Sequence, residues 1–288
     1  MIMFLLKHGH IHMSIDETSA ALPVGSSDPI VVSTESMASA EVRDVIQSNI
    51  DFVNALFAEM LNETEVSHDA FLSYYADYFL MEYFNGGFAQ FVANTGWNPV
   101  VVGLVREALD VMGARRHLAL FQRGEQDVAA LGERLEVFLS SEFFGENAER
   151  DALSGIDDDL SELEKTVSLE QINAQWIRSR PNLVVVDEAE IAALVAQRAA
   201  GITDREERLA AAREARPEYA KLIERLCEQA GQTLEYITAG DPIHEFEGTT
   251  TLAWHFITDQ GHHYMVQTEG KALMFVGDSQ TKVAELPA

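Results

Sequence analysis

From Ala40 onward, apolar side chains recur at steps of three and four: Val42, Ile46, Ile50, Val53, Phe57 and Met60. That spacing lines one face of an α-helix and turns it toward a core. Residues 69–84 repeat the pattern with Phe71, Leu72, Tyr75, Phe79, Leu80 and Tyr83. The pair Gly86-Gly87 then predicts a break or sharp bend, because glycine is a poor helix former. Asn98 suits a cap, Pro99 the first helical position and Gly113 the exit, so a helix is expected over residues 100–112. Residues 114–121, 125–139 and 169–178 read as further helices, the last opened by the capping box Ser168-x-x-Gln171 and followed by Pro181. Helical character continues over residues 187–200 and, after Thr203-x-x-Glu206, over 204–231 with a break at Pro217.

Beyond Gly231 the period changes to two, carried by Leu234, Tyr236, Leu252, Trp254, Phe256, Tyr264, Val266, Leu273 and Phe275. Turn residues at Gly240-Asp241-Pro242, Asp259-Gln260-Gly261, Glu269-Gly270 and Gly277-Asp278 cut this tail into four or five short strands, an antiparallel meander packed on the preceding helix. Residues 14–39 are rich in Ser, Thr, Ala and Pro without a sustained period. Such composition buries little. The expected organisation is a flexible leader over residues 1–39, an all-α domain over 40–185 and a small α+β domain over 186–288. The fold class is therefore α+β.

Charge changes the picture of the surface. The 288 residues carry 47 Asp and Glu against 20 Lys and Arg, a formal net charge of -27. That excess argues against a direct grip on nucleic-acid phosphates or an anionic membrane, and makes a basic protein the natural complement. It is also uneven: residues 1–100 hold 13 acids against Lys7 and Arg43, and residues 133–170 hold 12 against Arg134, Arg150 and Lys165. On the first helix Glu41, Asp44, Asp51 and Glu59 fall on one side of the wheel, away from the apolar stripe. A second dense patch comprises Asp157, Asp158, Asp159, Glu162 and Glu164. Both are candidate partner-binding surfaces; the plainer reading of each is a solvated face. The Asp triplet lacks the spacing and the loop glycine of an EF-hand, so no metal is expected there.

The single cysteine, Cys227, has nothing to pair with, which fits a reducing compartment. No stretch approaches the roughly 20 apolar residues of a membrane span, and the short run from Ile2 to Leu6 falls below a signal segment. A cytoplasmic protein without membrane attachment is expected. His8, His10 and His12 alternate ahead of Met13, a second candidate start, and read better as a leader than as a metal site.

The most distinctive segment is Tyr83-Phe84-Asn85-Gly86-Gly87-Phe88-Ala89-Gln90-Phe91-Val92-Ala93-Asn94. Glu82 lies three residues before Asn85, and Gln90 four before Asn94, so polar groups line helical faces amid aromatic residues that belong inside. Glu82, Asn85, Gln90 and Asn94 either satisfy backbone groups at a helix junction, where Gly86 and Gly87 allow close approach, or line a ligand pocket. The pattern Glu-x-x-Asn-Gly-Gly-Phe-x-Gln-x-x-x-Asn, with Phe88 at its centre, resembles the bacterial DNA mimic protein family. Residues 107–114 resemble that family's Leu-x-x-x-Gly-Ala helix end, and residues 172–181 its closing helix, so the likeness covers roughly residues 40–185. The resemblance implies an all-helical protein whose carboxylates imitate duplex phosphates and occupy a helix-turn-helix regulator, often as a homodimer. The acidic residues are not part of the shared motif, and the C-terminal domain lies outside it.

Enzyme signatures are absent: no Gly-x-Ser-x-Gly, phosphate-binding loop, Gly-x-Gly-x-x-Gly or His-Glu-x-x-His occurs. No catalytic residue and no cofactor is assigned. His244, His255, His262 and His263 with Glu245 and Glu247 form the remaining metal candidates, weakened because the neighbours His262 and His263 should point to opposite faces of a strand. Cys227 beside Glu228 makes a poor nucleophile, since the carboxylate raises a thiol pKa. The reading favoured is a DNA-mimicking inhibitor of a basic DNA-binding protein, not an enzyme. Its alternatives are a general interaction module and a metal-dependent enzyme in the C-terminal domain.

Overall fold

A computed structural model describes residues 26–287, which fall into two compact units divided between Thr203 and Asp204. The leader histidines lie outside the described residues. In the first unit the chain runs β1 (Val31–Ser33), α1 (Thr34–Ala38), α2 (Val42–Ala58), α3 (His68–Thr95), α4 (Pro99–Val111) and α5 (Arg115–Leu131). It continues through α6 (Arg134–Ser140), α7 (Ala148–Ala152), α8 (Asp157–Glu164), α9 (Leu169–Arg178), β2 (Val184–Val186) and α10 (Glu188–Ala200).

Helix α3 is the centre of this unit. Every residue from Ala70 to Leu80 is buried, so the helix has no solvent stripe and must be surrounded. Phe71, Phe79, Phe88, Phe91 and Phe121 are fully buried, and Phe79, Phe88 and Phe91 all meet Phe121 of α5 edge-on or tilted. Two buried amides fasten neighbours to α3: Asn49 Nδ2 of α2 donates to Ala70 O at 3.0 Å, and Asn173 Nδ2 of α9 donates to Ser73 O at 2.9 Å. The caps foreseen at Asn98 and Ser168 both form, accepting from Val100 N and Gln171 N.

Three features of this unit depart from the sequence-based expectations. The segment read as part of a flexible leader is ordered from Ser26, with Ile30, Val31 and Val32 buried and β1 paired in parallel with β2. This short pair, invisible to periodicity because each strand has three residues, joins the segment before α2 to the segment after α9. The unit also extends to Thr203 instead of residue 185, since α10 packs on α2 and buries Val195 in the same core. The expected break near Gly124 does not occur: α5 runs on to Leu131 and breaks at Gly132, with φ of 56°.

The second unit comprises α11 (Arg205–Ala215), α12 (Glu218–Ala230) and a five-stranded antiparallel meander: β3 (Leu234–Phe246), β4 (Thr249–Thr258), β5 (Gly261–Thr268), β6 (Lys271–Val276) and β7 (Lys282–Pro287). The break between α11 and α12 falls at Pro217 as foreseen. Leu222, Ile223, Leu226 and Cys227 of α12 close one face of the sheet over Phe256, Met265 and Met274. Burial pushes the Cys227 thiol up to about 11, helped by Asp259 and Glu228, which leaves it protonated and inert. Among the described residues no helix is long and apolar enough to cross a membrane.

Candidate protein-interaction surface

The motif around Gly86-Gly87 forms a kink inside α3. Gly87 has φ of 76° and ψ of -175°, a region open only to glycine, so the backbone turns out of the helix and re-enters it at Phe88. Re-entry leaves a fresh helix N-terminus with unpaired N–H groups. Asp157 fills that place: its Oδ1 accepts from Phe88 N at 2.9 Å, while its backbone carbonyl accepts from Tyr83 O–H at 2.8 Å. A Cβ on Gly87 would stand 2.4 Å from Asp157 Oδ2. Burial holds the Asp157 carboxyl above its ordinary pKa, and the Phe88 N–H works against that rise.

Across the kink, Glu82 is buried and accepts from Asn94 Nδ2 at 2.7 Å and from Gln90 Nε2 at 3.2 Å, with Tyr78 as a third partner. Desolvation raises the Glu82 pKa, and the three hydrogen bonds oppose it. The polar residues of the motif therefore satisfy one another instead of the backbone groups expected. Asn85 is exposed. Gly86 makes room for Gln90, whose Oε1 would lie 2.1 Å from a Cβ there. The arrangement staples the two halves of α3 and is closed on itself.

The acids of α2 are placed differently. Glu41, Asp44 and Asp51 are exposed, and Glu59 at the helix end is half-buried. Two of them have neutral local partners: Ser39 donates to Asp44, and Gln47 to Asp51 at 2.8 Å. Arg43, the lone cation of α2, turns away to pair with the buried Asp77, with Glu170 also within 3.7 Å. The helix thus spends its positive charge inside and presents carboxylates outside.

The second patch divides. Asp157 caps α3, and Glu164, with 10% of its side chain exposed, contacts buried His117 at 2.7 Å and accepts from Leu169 N at the start of α9. These two are internal fasteners, a correction to their reading as partner-binding residues. Asp158, Asp159 and Glu162 are exposed; Asp159 pairs with Arg123 at 2.6 Å, and Glu162 with Lys165. The two acidic helices also lean on different halves of α3, α2 near Ala70 and Asp77 and α8 near Tyr83 and Phe88.

In the C-terminal unit, His255 and His262 stand together, with Nδ1 of the first 3.0 Å from Nε2 of the second, and His244 packs beside them. His263 points to the opposite face and stacks on Phe256, as the strand alternation requires. Glu245 binds Thr250, and Glu247 sits in the following turn, so neither joins the histidines. Asp241 does join them: the turn expected at Gly240-Asp241-Pro242 does not form, and β3 runs through it with Asp241 paired to Ala253.

A kinked central helix surrounded by shorter helices, with Glu41, Asp44, Asp51, Asp158, Asp159 and Glu162 exposed, makes up this unit. Residues 64–180 match the model of the family described as DMP19-like protein, which is the DNA mimic protein family. The match begins after α2 and is shorter than the residues 40–185 over which the likeness was drawn. No curated protein and no solved structure matches the chain.

Proposed function

We propose that the helical unit binds a basic DNA-binding protein in the place of duplex DNA, with a helix-turn-helix regulator as the partner class, and inhibits it by occupation without catalysis. The observation carrying this reading is the outward carboxylate row of α2, Glu41, Asp44 and Asp51, left unneutralised by Arg43. Asp44 and Asp51 lie seven residues apart, about 10 Å along a helix, a rigid spacing of charge that Lys and Arg set for phosphates can engage. Exposed Asp158 adds negative potential through α8, where Asp159 and Glu162 are paired with Arg123 and Lys165. The family match supports the class of partner, while α2 itself lies outside the matched residues. The reducing interior of a cell suits both the partner and the free thiol of Cys227.

The test is a pull-down from native lysate with the full chain as bait, at low and high salt and with or without excess random duplex. Recovery of a helix-turn-helix regulator that duplex displaces, and that a Glu41→Gln/Asp44→Asn/Asp51→Asn variant no longer retains, is the expected result. A partner retained at high salt and indifferent to duplex would sink the mimic reading. It would favour the second one, an ordinary interaction surface built on the exposed Phe84, Val137 and Phe144 of the same unit.

A further inference from the structure

The face of the C-terminal sheet opposite α12 carries a cluster that the interaction reading does not use. β3 pairs with β4 through Asp241↔Ala253 and His244↔Thr251, so three residues of β3 advance against two of β4. This bulge at Pro242-Ile243 breaks the alternation and sets Asp241 and His244 on one face, where regular pairing would oppose them. His255 of β4 and, across from it, Tyr264 of β5 share that face. One ligand atom from each of Asp241, His244 and His255 lies within 4.8 Å of the others. Asp241 Oδ1 accepts from Ile243 N at 3.1 Å, and Oδ2 lies 3.7 Å from His244 Nδ1.

We propose that Asp241, His244 and His255 form a binding site for a divalent transition metal of the zinc class. The donors are two imidazoles and one carboxylate, the set that borderline cations prefer, with no thiolate to select a softer ion. Donors about 2.0–2.2 Å from a common ion are roughly 3.4 Å apart in a tetrahedron, so side-chain rotation of about 1 Å closes the set. His262 supports it from outside. Its ring is stacked on His255 with centroids 5.2 Å apart, and its contact with His255 Nδ1 fixes that ring's orientation. Gly277 leaves space for this ring, because a Cβ there would stand 2.1 Å from His262 Nδ1. Three protein ligands leave a fourth position open to water or a small anionic ligand.

The experiment titrates Zn²⁺ by calorimetry into the metal-stripped full chain carrying His8→Ala, His10→Ala and His12→Ala, which removes chelation by the leader. One equivalent should bind with Kd of about 1 μM or tighter. His255→Ala and, separately, Asp241→Asn should weaken binding by about 100-fold, and His262→Ala by about 10-fold. Mg²⁺ should not compete, since the site offers too few oxygens. Circular dichroism of each apo variant separates loss of ligand from loss of fold, and Co²⁺ absorption gives a second readout of the nitrogen donors. Absence of binding at 100 μM Zn²⁺, or a folded His244→Ala/His255→Ala variant that binds unchanged, would overturn the site.

Discussion

Glu82 is a carboxylate placed where its charge is costly, and its cost is readable in solution. It is 5% exposed, and burial lifts its pKa above the ordinary 4.5 despite the hydrogen bonds from Asn94, Gln90 and Tyr78. A group whose folded pKa is raised binds its proton more tightly when folded. Its contribution to stability is therefore greatest below the unfolded value and declines as pH rises through the folded one. Glu82→Gln removes the titration while keeping a carbonyl acceptor for Asn94. On acidification from pH 7 toward 4.5, urea unfolding should show the wild type gaining stability relative to this variant. A difference constant across that range would show that Glu82 is not held in a desolvated state.

At the scale of elements, the helices were legible because their apolar stripes and caps are local properties: α2, the Asn98 cap and the Ser168 cap all stand where the pattern set them. Gly124 shows where local reasoning stops. It lies in the gap left between the helices read over 114–121 and 125–139, yet α5 runs through it and the ring of Phe88 fills the space, with Cζ only 2.5 Å from where a Cβ would sit. In an exposed helix, alanine for glycine adds about 1 kcal/mol of stability. Here Gly124→Ala should instead destabilise by roughly 1–3 kcal/mol through overpacking, and Phe88→Leu in the same chain should return part of that loss. Chemical denaturation decides the sign, and a gain in the single variant would refute the contact. The site was partly hidden for the same reason. An acidic run does not reveal which carboxylates turn inward, because Asp157 answers Phe88 N, 69 residues away, and Glu164 answers His117, 47 residues away. Asp241 escaped notice because a bulge, not a periodicity, brings it to the histidines.

At the scale of the whole molecule, a net charge of -27 has two consequences of opposite direction. Like charges repel within the compact state, and salt screens them over a Debye length of about 10 Å at 0.1 M. Raising NaCl from about 0.05 to 0.5 M should therefore raise the urea midpoint of the chain itself. The same screening should weaken a complex held by carboxylates against Lys and Arg, reducing affinity by about 10-fold or more over that interval. Neutralising Glu41, Asp44 and Asp51 should flatten the binding response while leaving most of the stabilising one, because the remaining acids still repel. An acidic surface kept only for solubility would give the gain in stability with no loss of binding. The two salt responses, measured on one preparation with the captured partner, thus distinguish charge used for recognition from charge that only keeps the molecule dispersed.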